Sequence, residues 1–249
     1  MKRTFVLLVC MLACSLAGFA QNLITNGSFE LPVVPVSGFT AFNIGDTTSI
    51  PGWAVVGNAG MNVFIGSTTL CDSGPPKTCY PAQHGQQFLD LTGAGSNGVE
   101  GVEAMTGTVT GIPTTIGAYY QLSYWVGNVS LASPYGPTST VQVYVNNTLL
   151  TADTNSMSTP LSGGIYYMGW QQFIHVFQAT TANTRIKFMN GDPSTDGING
   201  LDNVVLLQFC SCRAVHLPTN VEAGDSGCGD PKVATKSEQS GPVAHKSAP

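Results

Sequence analysis

Apolar residues recur at every second position in several stretches of this chain, separated by glycine, proline and asparagine. Over residues 119–126, Tyr120, Leu122, Tyr124 and Val126 fall on one side, and over 140–145 the matching set is Val141, Val143 and Val145. A period of two is strand geometry with one face turned to a core. Residues 170–177 set Phe173, His175 and Phe177 opposite Gln172, Ile174 and Val176, which predicts a strand covered on both faces. Further strands are expected at 22–30, 53–56, 61–65, 87–91, 101–109, 184–189 and 201–208, and nothing argues for a long helix. Short strands joined by such loops predict an all-β fold, a two-sheet antiparallel jelly-roll β-sandwich, rather than alternating βαβ units.

Two short motifs bracket this body, Asn26-Gly27-Ser28-Phe29-Glu30 and Leu201-Asp202-Asn203-Val204. Each joins one acid to strand-forming apolar residues. With the first and last strands side by side, Glu30 and Asp202 face each other across one rim. Two carboxylates so placed need a cation or a shared proton.

The N-terminus adds a targeting signal. Lys2 and Arg3 precede an apolar run from Phe5 to Ala17 and small residues at Gly18 and Ala20, the form of a secretory signal peptide over residues 1–20. The run is shorter than the roughly 20 residues that span a bilayer, so no transmembrane segment is expected. A second reading of this end is lipid attachment at Cys14. One β-domain is expected over 21–210, and residues 211–249, without aromatics or periodicity, read as a disordered tail. The protein is therefore expected to be secreted, extracellular or at the cell surface, with the periplasm also open.

Charge narrows the partners. Only 9% of residues are charged and the net charge is -5. Between Asn22 and Gln208 the cations are Lys77, Arg185 and Lys187, too few to replace phosphate counterions, so nucleic acid is excluded as a partner. Outside the signal segment the cysteines are Cys71, Cys79, Cys210, Cys212 and Cys228. Cys71 and Cys79 flank the Gly74-Pro75-Pro76 turn and are expected to form a disulfide. For the other three a zinc site lacks a fourth ligand at the usual spacing, although His216 is near. Two of them pairing, with one left free or bonded between chains, is the simpler expectation.

Read together, Asn26-Gly27-Ser28-Phe29-Glu30, Pro51-Gly52-Trp53, Gln86-Gln87-Phe88-Leu89-Asp90-Leu91, Tyr120 to Asn128, Trp170 with Phe177-Gln178-Ala179, and Gly200-Leu201-Asp202-Asn203-Val204 resemble the family catalogued as domain of unknown function 642. The blocks keep that family's order over most of residues 22–208. The resemblance implies a galactose-binding-like jelly roll akin to carbohydrate-binding modules, in the bacterial single-domain form, acting on polysaccharide or cell-wall glycan. It also implies a structural calcium ion held by the acid after the first-strand Phe and the acid of the last strand, here Glu30 and Asp202.

Sugar recognition needs aromatic faces at a surface. Trp53, Trp125 and Trp170 sit in strand patterns and read as core, which leaves Tyr80, Tyr135, Tyr166 and Tyr167, among glycines and prolines, as the ligand-binding candidates. Catalytic signals are sparse. His84 and His175 are the histidines of the body, no nucleophile elbow or phosphate loop is present, and Glu100 and Glu103 read as solvent-facing rather than as a glycosidase pair. The run from Asp192 to Gly197 lacks the ligand pattern of a helix-loop-helix calcium site and reads as a polar turn. These observations predict a secreted, non-catalytic carbohydrate-binding or adhesion module and not an enzyme. The alternative is a structural or extracellular protein-interaction domain, and a polysaccharide-active enzyme comes third.

Overall fold

A computed structural model describes residues 21–93, 99–131, 134–193 and 196–209. The expected signal segment, the tail, and Cys210, Cys212 and Cys228 lie outside the described residues. In chain order the strands are β1 Phe39–Asn43, β2 Trp53–Val56, β3 Asn62–Ser67, β4 Thr78–Cys79, β5 Gln87–Asp90, β6 Gly101–Thr106, β7 Val109–Thr110, β8 Ile112–Pro113, β9 Tyr119–Asn128, β10 Ser139–Val145, β11 Thr148–Asn155, β12 Leu161–Ser162, β13 Ile165–Tyr167, β14 Gly169–Gln178, β15 Asn183–Thr184, β16 Ile186–Asn190 and β17 Gly200–Phe209. Among the described residues no helix is long and apolar enough to cross a membrane.

Two antiparallel sheets carry the fold. One has six strands in the order β1-β3-β5-β17-β9-β14, and the other runs β11-β10-β16-β6-β2 with β7 added to β6. Their inner faces pack as a jelly-roll sandwich, because the alternating apolar positions of both sheets have nowhere else to hide from water. Tyr120, Leu122, Tyr124 and Val126 of β9 meet Val141 and Val143 of β10, Phe188 of β16 and Trp53 of β2 in one buried cluster. Large faces small across the strands: Trp53 lies opposite Ala104 in the register of β2 on β6. The Trp53 ring fits between Phe29, at a centroid distance of 5.1 Å, and Phe188, at 6.0 Å. Its indole N–H donates to the Asn26 carbonyl at 3.0 Å, so its burial strands no donor.

A second, smaller core lies outside this sandwich. Tyr80, Phe88, Val129, Met168 and Ile198 pack together with Trp170 and Tyr135 against them. The alternation of β5 explains it: Leu89 enters the main core while its neighbour Phe88 enters the second one. Trp170 stacks so closely on the backbone of β9 and β17 that a Cβ on Gly200 would come within 2.9 Å of its ring. Trp125, expected in the core, is instead only half-buried, since Tyr124 and Val126 take the inward positions of β9.

The segment 22–30 differs from expectation. It is not a strand, because Asn26 and Phe29 adopt left-handed backbone conformations that break the pleat. It still lies along β17, through Leu23 N–H to the Leu206 carbonyl at 2.9 Å and Val204 N–H to the Gly27 carbonyl at 2.8 Å. Within β17 the register on β9 shifts between Asp202 and Val205, with Asn203 left-handed. This bulge lets both Leu201 and Val204 point into the core and turns Asp202 aside toward the rim.

Candidate functional site

The Cys71–Cys79 loop is built first. The two cysteines are bonded, with Cα atoms 4.0 Å apart, and the loop closes through Asp72 N–H to the Thr78 carbonyl at 2.8 Å. Strand β13 runs parallel to β4, setting Tyr166 beside Thr78 and Tyr167 beside Cys79, and β12 pairs onto β13. A small three-stranded sheet thereby braces the loop.

Tyr80 and Tyr135 converge on this loop. Both hydroxyls bond the same Asp72 carboxylate oxygen and each other. Tyr80 comes from the end of β4 and is buried, whereas Tyr135 comes from the β9–β10 connection and is half-buried. Burial and then the bond to Asp72 push the Tyr80 phenol far above its ordinary range, and the same causes push Tyr135 up to about 12. Both phenols therefore stay protonated at neutral pH and Asp72 is their acceptor. Tyr166 and Tyr167 are half-buried on β13 and do not join this group, so the structure brings together two of the four expected tyrosines.

Beside them lies a cavity of about 340 Å³ lined by Asp72, Gly74, Pro75, Pro76, Leu131, Pro134 and Tyr135. Apolar proline and leucine walls with one carboxylate and one phenol suit a small organic molecule better than a flat pyranose chain. Asp72 was missed in the sequence. Its only signal is that it follows Cys71 directly, and the pairing with tyrosines 8 and 63 positions away is created by the fold.

Glu30 and Asp202 meet, as expected, at a rim, but through a shared turn. Glu30 Oε1 accepts the N–H groups of Gln86 and Gln87 at 2.9 and 3.0 Å. Asp202 Oδ2 accepts those of Gln83 and His84, both at 2.9 Å, and its Oδ1 accepts Asn203 N–H at 2.6 Å. Burial, with the Glu30 charge adding to it, pushes Asp202 up to about 7. Among the described residues no group of three histidine, cysteine or acidic side chains stands ready to hold a metal ion.

Three other polar groups are structural. Glu103, expected in solvent, is buried and bonds the guanidinium of Arg185. Glu100 is buried as well and accepts Val99 N–H at 3.0 Å. Each sits on or beside β6, which lies inside its sheet between β16 and β2. His175 bonds Asp153 at 2.5 Å and the Tyr124 hydroxyl donates to the same oxygen at 2.6 Å, joining β14 to β11 across the open side of the sandwich.

A family model described as HpiC1-like: HpiC1 cyclase matches residues 20–206. Solved structures similar to the chain include the Stig cyclase Fisc from Fischerella sp. TAU in complex with (3Z)-3-(1-methyl-2-pyrrolidinylidene)-3H-indole, at 21% identity and TM-score 0.49, covering 76% of this chain and 97% of that one. A cyclase from the same organism in complex with 4-(1H-Indol-3-yl)butan-2-one follows at 19% identity and TM-score 0.47, covering 75% and 96%. The CBM22-1 xylan-binding domain of Xyn10C from Paenibacillus barcinonensis is similar at 13% identity and TM-score 0.34, covering 71% and 97%. No curated protein matches.

The family match overturns the resemblance to domain of unknown function 642. It also overturns the expectation of a non-catalytic module whose partner is polysaccharide, cell-wall glycan or another extracellular protein. The physical reason is that the blocks behind that resemblance build the framework. Phe29 and Trp53 fill the core, and Leu201 to Val204 make the bulge, so these blocks report the sandwich and not what it acts on. The third reading, an enzyme, was nearer, though its polysaccharide substrate has no support.

Proposed function

The chain belongs to the HpiC1-like cyclase family, and from that premise we propose that it is an enzyme closing a ring in a small organic molecule, with Asp72, Tyr80 and Tyr135 as its working groups. The observation that carries this reading is the convergence of one carboxylate and two phenols, of which Asp72 and Tyr135 line the cavity of about 340 Å³. An isomerising ring closure needs a proton placed on one atom and removed from another. Tyr135 is positioned to give one, and Asp72 to take one and to face positive charge as it develops. Pro75, Pro76 and Leu131 give the site an apolar wall against which the reacting hydrocarbon can lie.

The test is a screen of neutral unsaturated aromatic compounds, substituted indoles first, for a product of unchanged mass and altered retention. Asp72→Asn is expected to lower turnover by about 100-fold or more, with an unchanged melting temperature. Turnover in Asp72→Asn equal to wild type sinks the assignment.

A structural calcium ion at Glu30 and Asp202 is part of the same proposal. Its support is the adjacency of the two acids at one rim and the acceptor capacity left on Glu30 Oε2 and Asp202 Oδ1 once the amide bonds are made. The ion would act on stability alone, and chelator is expected to lower the melting temperature of the wild-type protein. Export, with removal of residues 1–20 and residues 211–249 as a tail, is supported by the N-terminal pattern and by the Cys71–Cys79 bond, which suits an oxidising compartment.

A further inference from the structure

The stretch from Leu31 to Gly45 holds no charged residue, and Glu30 and Asp46 bound it. Its first part turns apolar side chains outward. Val33 and Val36 are 81% and 84% exposed, and Leu31 and Phe39 are each half exposed. Single apolar residues at a surface are ordinary, but four so close in the chain, with no ionic group among them, make a patch that water disfavours.

The loop is built to hold them there. Val34 is buried in the main core, and its N–H donates to Gln87 Oε1 at 2.6 Å. The amide of the same buried Gln87 donates to the carbonyls of Phe29 and Pro32 at 2.7 and 3.0 Å, so one side chain clamps the loop at three points. With Val34 drawn inward, Val33 and Val36 to either side of it are left projecting. Ser37 N–H fastens the far limb to Thr69 Oγ1 at 2.9 Å, and Gly38 N–H donates to the Pro35 carbonyl at 3.0 Å. The main chain of this loop also has little need of water. Pro32 and Pro35 have no N–H to satisfy. The N–H groups of Leu31, Val34, Ser37 and Gly38 are bonded within the protein, as are the carbonyls of Leu31, Pro32, Pro35 and Gly38. A segment paired to this extent enters hydrocarbon at small cost, whereas a loop with open donors does not.

We propose that Leu31, Val33 and Val36 are an anchor that dips into the outer layer of a lipid bilayer, and that the lipid surface it takes is zwitterionic. Charge selects the lipid. Acids bound the stretch, the chain carries -5, and of the described cations Lys77, Arg185 and Lys187 the second is already tied to Glu103. An anionic leaflet attracts basic segments and repels this one. Short aliphatic side chains on a projecting loop, with the main chain turned to its own bonds, leave little for a protein groove to hydrogen-bond, and hydrocarbon requires nothing of the kind. A few such side chains give reversible attachment to a membrane, not a span. The anchor is independent of the ring-closing reaction and of the Asp72 cavity.

The experiment sediments the full chain with sucrose-loaded vesicles of phosphatidylcholine and measures the bound fraction. Wild type is expected to pellet with them, and the Val33→Ser, Val36→Ser chain to lose more than about tenfold in partition coefficient while keeping the wild-type melting temperature. The Val36→Trp chain reports from the loop itself, and its emission is expected to shift to the blue when these vesicles are added. Phosphatidylserine in the vesicles is expected to weaken binding. Equal partition of wild type and the double variant overturns the proposal, as does a wild-type chain that stays in the supernatant or that binds only when phosphatidylserine is present. A wild-type dimer in gel filtration that the double variant loses, without vesicle binding by either, overturns it in favour of a second copy on this patch.

Discussion

Tyr135 lines the cavity and bonds Asp72 and Tyr80 at once, so the proposed recognition and proton transfer both turn on it. Its phenol is held back from ionising until about pH 12 against an ordinary 10.0. A group whose folded pKa lies above its unfolded one favours the fold while it remains protonated. The contribution is therefore whole below about pH 10 and is lost as pH climbs through 12. An absorbance titration of phenolate is expected to show tyrosines that ionise late in the wild type. The Tyr135→Phe chain is expected to lose one of them and to show a flatter decline of stability over the same window.

At the scale of elements, the disulfide hairpin and the β12–β13 hairpin act as one brace for Asp72. Opening the link across a sequence separation of 8 frees a short loop, and loop-closure entropy puts the cost at about 2–3 kcal/mol. The Cys71→Ser, Cys79→Ser chain is expected to unfold in urea with a free energy lower by that amount. Elements with strict alternation were legible in the sequence: β9 and β10 follow their predicted faces residue by residue. Strand β11 was not, because Thr148 to Asn155 sets Leu149 and Leu150 side by side among polar residues without alternation and forms as the edge partner of β10. Asp72 and the cluster of buried acids at Asp90, Asp192 and Asp196 were illegible for a related reason. Their meaning depends on contacts between distant segments, such as Asp90 with Asn199, and no local pattern encodes a pairing 109 residues apart.

At the largest scale, the described residues form a sandwich whose two polar clusters share one long connection. The loop between β9 and β10 supplies Tyr135 and Pro134 to the cavity and Gly136 to the acidic cluster. The sandwich itself depends on residues far apart in the chain, and its last strand shows this best. Strand β17 sits in the centre of the six-stranded sheet, between β5 and β9. Until residues 200–209 leave the ribosome, that sheet exists only as two unconnected halves, β1-β3-β5 and β9-β14. Pairing so remote in sequence is slow to form, and this sheet cannot close before residues 200–209 have been made. The strand made last among the described elements is thus the keystone that joins the two halves of this sheet.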